Sequence, residues 1–357
     1  MTTVTTTAAA TPQLSRRLTT ARLPKWAPPG VAVAAVGLGC AIGAGAGLAS
    51  HIQWGLIAAA LFVVLSYSLS AWVEGRRQAR DRLATSVVWV AFILAVIPLA
   101  SLTIYTVQQG AKVVDGNFLT HSMKNVISSG PGGGIYHALI GTLEQVALAT
   151  AMAAPVGLLT AVYLVEYGRG RLAKWVTFFV DVMTGVPSIV AGLFILSLWN
   201  LMLGFEYSGF SGSLALAILM MPVVVRSTEE MLKLVPNELR EASYALGVPK
   251  WKTILRVVLP TAIGGITTGI MLAVARITGE TAPVMMLVFG ADAINGDPFN
   301  GPQQSLPLYI WQQYSMVNND FGYARAWGAA LVLIAFVMGL NLIARGVARW
   351  RAPKGGR

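Results

Sequence analysis

Apolar residues in this 357-residue chain run in long uninterrupted blocks, parted by short polar segments. A helix needs about 20 mainly apolar residues to cross the hydrocarbon core of a bilayer. Eight blocks meet or approach that length: 30–49, 53–73, 84–107, 138–165, 173–199, 209–226, 260–289 and 325–345. Only Ser50, His51 and Ile52 join the first two, so a tight helical hairpin is expected there. Pro187 is expected to kink the fifth block. Gly264, Gly265 and Gly269 are expected to let the seventh pack closely on a neighbour. The pattern predicts an all-α polytopic membrane protein.

Composition removes the alternatives. Hydrophobic residues make up 55% of the chain and charged residues 11%, whereas a soluble protein carries about 25% charged residues. The single cysteine, Cys40, excludes an internal disulfide framework. The net charge of +11 lies in short tracts beside the spans rather than along one helix face, which argues against nucleic acid. With a cytoplasmic N-terminus and eight crossings, the inside segments 16–25, 76–82, 169–174, 233–256 and 345–357 hold 21 of the 26 basic residues. Lys112 and Lys124 are the two left outside, so both termini are expected to be cytoplasmic. The outer loops 108–137 and 290–324 suit either docking of an extracytoplasmic partner or plain connection.

The inner segment 225–260, VRSTEEMLKLVPNELREASYALGVPKWKTILRVVLP, is too long and too patterned for a plain connector. Thr228-Glu229-Glu230 and Pro236-Asn237-Glu238 both read as helix starts, the second with Asn237 as cap. Leu239, Ala242, Ala245 and Leu246 form an apolar stripe at helical spacing. Gly247 interrupts that helix, and Val248-Pro249 opens a second one carrying Trp251, Ile254, Leu255 and Val258. Two amphipathic helices result, fit either for the lipid surface or for a cytoplasmic partner.

Glu241-Ala242-Ser243, then Gly247, then Val257-x-Leu259-Pro260 resembles the EAA motif of ABC importer permeases. Ser243 and Val257 depart from that pattern by small changes in volume. Residues 225–231, 236–242 and the run Ala275-Arg276-Ile277-Thr278-Gly279-Glu280-Thr281-Ala282-Pro283 resemble more narrowly the PstA family, permease subunits of bacterial phosphate ABC importers. The resemblance implies a bacterial inner-membrane permease core of six helices; the first two spans lie outside that core, as an N-terminal addition on which the resemblance is largely silent. The implied divisions are a cytoplasmic tail at 1–29, an extra hairpin and basic linker at 30–83, the permease domain at 84–345 and a basic tail at 346–357. A coupling loop at about 227–259 would place Glu241, Ala242, Ser243, Gly247 and Pro260 against an ATPase. The implied partners are a second, PstC-like permease, a PstB-like ATPase dimer that binds ATP and Mg, and a PstS-like phosphate-binding protein.

Side-chain chemistry points the same way. Arginine at the bilayer centre costs at least about 2.5–3.5 kcal/mol and rarely faces lipid. Arg276 has apolar flanks, and Glu280 is expected one turn on, either as its resting counter-charge or as half of a structural pair. Arg226 is expected on the pathway or at the cytoplasmic interface, while Asp181 and Glu144 are set outside the substrate contacts. Arginine suits an oxyanion because its fork donates paired hydrogen bonds and stays charged. No G-x-x-x-x-G-K-[ST] loop occurs, so ATP hydrolysis belongs to another chain, and no metal or catalytic motif such as H-E-x-x-H is present. The reading is a non-catalytic permease subunit of an ATP-driven phosphate importer. The alternatives are an importer for another oxyanion and an ion-coupled secondary transporter.

Overall fold

The computed structural model describes residues 23–24, 26–316 and 319–351. Most of the expected tails, with Arg16, Arg17, Arg22, Lys25, Lys354 and Arg357, lies outside the described residues. Those residues are helical apart from loops and one isolated bridge, Phe289 to Gln303. They divide into two compact units, Met1–Thr103 and Ile104–Arg357.

The first unit holds α1 (Ala27–Gly45), α2 (His51–Val73) and most of α3 (Arg76–Gly110). The expected hairpin forms, with Ser50 Oγ accepting the Ile52 N–H at 3.3 Å to cap α2. A Cβ at Gly39 would come within 2.7 Å of Ala58, so a larger residue there would drive α1 and α2 apart. Glu74 closes the far end of α2. Its buried carboxylate accepts from Arg82 at 2.9 Å, from Ser70 Oγ at 2.7 Å and from the Leu23 N–H at 2.7 Å.

The second unit continues through α4 (Gly116–Thr120), α5 (Tyr136–Tyr167), α6 (Arg171–Thr184), α7 (Ser188–Met202) and α8 (Gly209–Lys233). There follow α9 (Asn237–Ala245), α10 (Lys250–Thr278), α11 (Ala282–Val288), α12 (Leu306–Tyr314) and α13 (Asp320–Arg351). Helix α8 is the centre: 67% of its most apolar stretch is buried, against at most 33% for any other span. Small residues on its first turns permit this, and Ser208 and Ser211 form a capping box at its start. Along its length it meets α10, where Cβ atoms at Gly265 and Gly269 would collide with Met231 and Ser227. Gly264 has no such neighbour, so only two of the three expected packing glycines serve that contact.

Seven helices are long and apolar enough to cross a membrane, and α6 with α7 makes an eighth span only as a pair bent by 107°. The expected kink at Pro187 is therefore a break. Gly185 ends α6, Pro187 is extended at ψ 141°, and its missing N–H cannot extend the ladder. The seventh block also divides, because α10 stops at Thr278 and Gly279 to Thr281 separate it from α11. The inner segment differs as well. Thr228 to Glu230 do not start a helix, since α8 runs on to Lys233. Pro236, not Asn237, occupies the cap of α9, and no side chain bonds there. The second short helix is no separate element: from Lys250 the chain runs unbroken into the span, through a wider π turn at Ile254–Val258 before Pro260. That turn accommodates a proline that breaks the regular ladder.

The two long loops fold into a core of their own. Phe118, Met123, Ile135, Leu306, Tyr309 and Ala329 are buried together. The buried Arg325 side chain donates to the Ser128 carbonyl at 3.1 Å and to Gln313 Oε1 at 3.3 Å, joining one loop to the other.

Hydrogen bonds from Arg82 lower the pKa of Glu74 from 4.5 to about 2. A lowered folded value means that this contribution is complete above the ordinary carboxylate range and is lost as the pH falls from 4.5 toward about 2. A fluorescence titration following Trp72 is expected to move in that window in the wild type and to lose the transition in Glu74→Gln.

Candidate functional site

Helix α9 is held by one largely buried arginine. Arg240 donates from Nη2 and Nε to Glu166 Oε1 at 2.9 and 3.0 Å, and to the carbonyls of Leu232 and Val235 at 3.0 and 2.6 Å. Leu232 is in the last turn of α8, where the helix ladder leaves acceptors free, and Val235 lies just beyond its end. Lys250 donates to the Glu166 carbonyl and stands 4.9 Å over the Tyr167 ring. Ser243 Oγ meets Thr253 Oγ1 at 2.8 Å, fastening α9 to the start of α10. Gly247 turns the chain between them at φ +75°, a conformation that costs any other residue about 1–2 kcal/mol.

This clamp fixes what α9 presents. Glu241, Ala242 and Gly247 are exposed, whereas Ser243 faces inward to Thr253. The stripe of Leu239, Ala242, Ala245 and Leu246 is turned away from the protein, with Leu246 83% exposed. Trp251 and Leu255 extend the exposed apolar surface onto α10. Pro260 lies further along α10, apart from α9 in the chain.

The expected pathway residues do not form one cluster. Arg226 is half-buried and pairs with Asp181 of α6 and with Glu229 at 2.7 Å, and Glu229 in turn pairs with Lys233 at 2.7 Å. Arg276 is exposed near the end of α10, and among the described residues it has no ion-pair partner. Glu280 lies beyond the helix end, beside Thr142, Gln145, Thr278 and Ser305, so it is not one turn along the helix from Arg276. The expected Arg276–Glu280 pair is absent among the described residues. Since Gly269 meets Ser227 and Gly265 meets Met231, α8 and α10 run antiparallel, and the two arginines stand roughly 9 Å apart in height at 1.5 Å per residue.

A polar belt at the other end of α8 was not read from the sequence. Gln145 Nε2 donates to Gln303 Oε1 at 3.1 Å and to the Gln304 carbonyl at 3.3 Å, and Gln303 donates on to Glu144. Asp181, set aside as a carboxylate that would repel an anion, is instead a partner of Arg226. Neither Asp181 to Arg226 nor Glu166 to Arg240 has a spacing that a local pattern reveals. Among the described residues no group of His, Cys, Asp and Glu is arranged to hold a metal ion.

A helical chain with seven helices long and apolar enough to cross a membrane is an integral membrane protein. The match to the family model for the binding-protein-dependent transport system inner membrane component covers residues 153–354, and the chain belongs to that family. The phosphate transport system permease protein PstA 1 of Mycobacterium tuberculosis strain ATCC 25618 / H37Rv is 52% identical over 270 residues, 75% of this chain and 87% of that one. PstA of Mycobacterium leprae strain TN is 51% identical over 272 residues, 76% of this chain and 89% of that one. A chain of the inward-facing MetNI methionine ABC transporter superposes with a TM-score of 0.49 at 18% identity, over 62% of this chain and 95% of that one.

Arg240→Ala removes one partner of a buried ion pair and strands Glu166, a change that costs about 3–5 kcal/mol. Hydrogen exchange is expected to accelerate in 234–249 first, with the α8 centre unchanged.

Proposed function

We propose that this chain is the membrane permease subunit of an ATP-driven importer of inorganic phosphate. The observation that carries the reading is Arg276: a charged side chain exposed within a span and without an ion-pair partner among the described residues. Such a group avoids lipid, so it belongs against water or another subunit. The likeness to PstA permeases of mycobacteria supports phosphate as the ion. In this reading a second, PstC-like permease covers the Arg276 face and completes the route between the two chains. Arg226 is the inner station, its charge balanced by Asp181 and Glu229, and Glu280 lies just beyond the Thr278 end of α10, where it repels a dianion and so keeps binding weak.

The exposed face of α9 is then the seat of a PstB-like ATPase, with Glu241, Ala242 and Gly247 at the contact, Ser243 as its fastener and Pro260 in the helix behind. Each ATPase binds ATP and Mg, and its movement reaches α8 and α5 through the Arg240–Glu166 clamp. The loops 108–137 and 290–324 face outward to a PstS-like binding protein. Both termini are cytoplasmic, segments 1–29 and 346–357 are tails, 30–83 is an additional hairpin and 84–345 is the permease domain. The protein acts in transport and catalyses no reaction itself.

Uptake of labelled phosphate by the reconstituted complex tests this. Arg276→Gln is expected to assemble normally and to reduce uptake by about tenfold or more, the loss of one charge-assisted bond to the ion. Normal uptake would overturn the route, and sulfate competing as well as phosphate would reassign the substrate. Leu246→Asp changes a side chain that touches nothing essential in the fold. It is expected to leave the chain folded while abolishing substrate-stimulated ATP hydrolysis.

A further inference from the structure

The first unit contains a cleft of about 330 Å³ that has no part in transport as described. It lies between the start of α1, the second half of α2 and the first turns of α3. Its polar and apolar residues are sorted by depth. Asp81 and Arg82 line it where α3 begins, beside the exposed Arg76, Arg77 and Arg80 at the head of that helix. Ser66 and Ser86 come next, and Phe62 and Trp89 line the part furthest into the apolar span. From Gln78 to Trp89 the cleft follows α3 for about 16 Å at 1.5 Å per residue. That is roughly the depth of one leaflet of a bilayer whose hydrocarbon core is about 30 Å thick.

The charges at the mouth are only partly used. Arg82 spends its Nε and Nη2 donors on Glu74, leaving Nη1 without a hydrogen bond among the described residues. The Asp81 carboxylate accepts no bond among the described residues, and the hydroxyls of Ser66 and Ser86 make none there either. The lining therefore offers one cation and one anion at headgroup level, two hydroxyls one turn deeper, and beyond them walls suited to an acyl chain.

We propose that this cleft is a binding site for a phospholipid whose headgroup carries both a phosphate and a primary ammonium. The phosphate takes the free Nη1 of Arg82, the ammonium donates to Asp81, and one acyl chain lies against Phe62 and Trp89. An anionic lipid would satisfy Arg82 but would set its charge beside Asp81. A choline lipid has no N–H to donate to that carboxylate.

Native mass spectrometry of the full chain in its complex, exchanged into phosphatidylethanolamine, phosphatidylglycerol or phosphatidylcholine, tests the assignment. Phosphatidylethanolamine is expected to be retained about tenfold more than phosphatidylcholine, the effect of one charge-assisted bond. Asp81→Asn alters an exposed side chain without a partner among the described residues and leaves the Arg82–Glu74 pair in place. It is expected to erase that preference while leaving phosphatidylglycerol retention unchanged or raised. Ser86→Phe fills the cleft and is expected to lower retention of all three. Equal retention of the three lipids, a preference for phosphatidylglycerol in the wild type, no retained lipid, or an unchanged preference in Asp81→Asn would each overturn the proposal. The outcome is independent of phosphate uptake, so it stands or fails apart from the transport reading.

Discussion

A proline has no backbone N–H, and hydrocarbon has no water to satisfy the carbonyl that loses its donor. That constraint decides where this protein bends and therefore where its functional surfaces lie. Pro187 separates α6 from α7, Pro236 and Pro249 start the helices on either side of Gly247, and Pro283 opens α11. At the end of α8 Arg240 supplies the donors, and its guanidinium is thereby committed to structure rather than to an ion.

The same residue type is tolerated elsewhere. Pro98, Pro155 and Pro222 lie inside unbroken helices, and Pro260 is carried by a π turn. Three of the breaking prolines follow a glycine closely: Gly185 before Pro187, Gly247 before Pro249 and Gly279 before Pro283. None of the tolerated four does. The local weakness of glycine, added to the missing donor, turns a bend into a break. This pairing is legible in the sequence, and it marks the points at which the blocks 173–199 and 260–289 divide.

Other features were legible for plain reasons. Long apolar blocks declare spans because length and composition suffice, and Gly247 declares a left-handed turn because few other residues adopt it. The apolar stripe of α9 was visible too, but its outward direction depends on Ser243 meeting Thr253 and Arg240 reaching Glu166, 74 residues away. The pairing of Arg226 with Asp181 is likewise a product of tertiary packing. Spacing misled at Arg276 and Glu280, where four residues suggested one helical turn but Gly279 ends the helix between them.

An arginine left facing outward from a span has a consequence for the cell's accounting of subunits. In the reading proposed above, a copy of this chain without a companion over Arg276 sets that charge against lipid, at a cost of about 2.5–3.5 kcal/mol on insertion scales. That is a large share of the stability of an ordinary domain. The orphan is thus the less durable species in the bilayer and the readier substrate for membrane proteolysis.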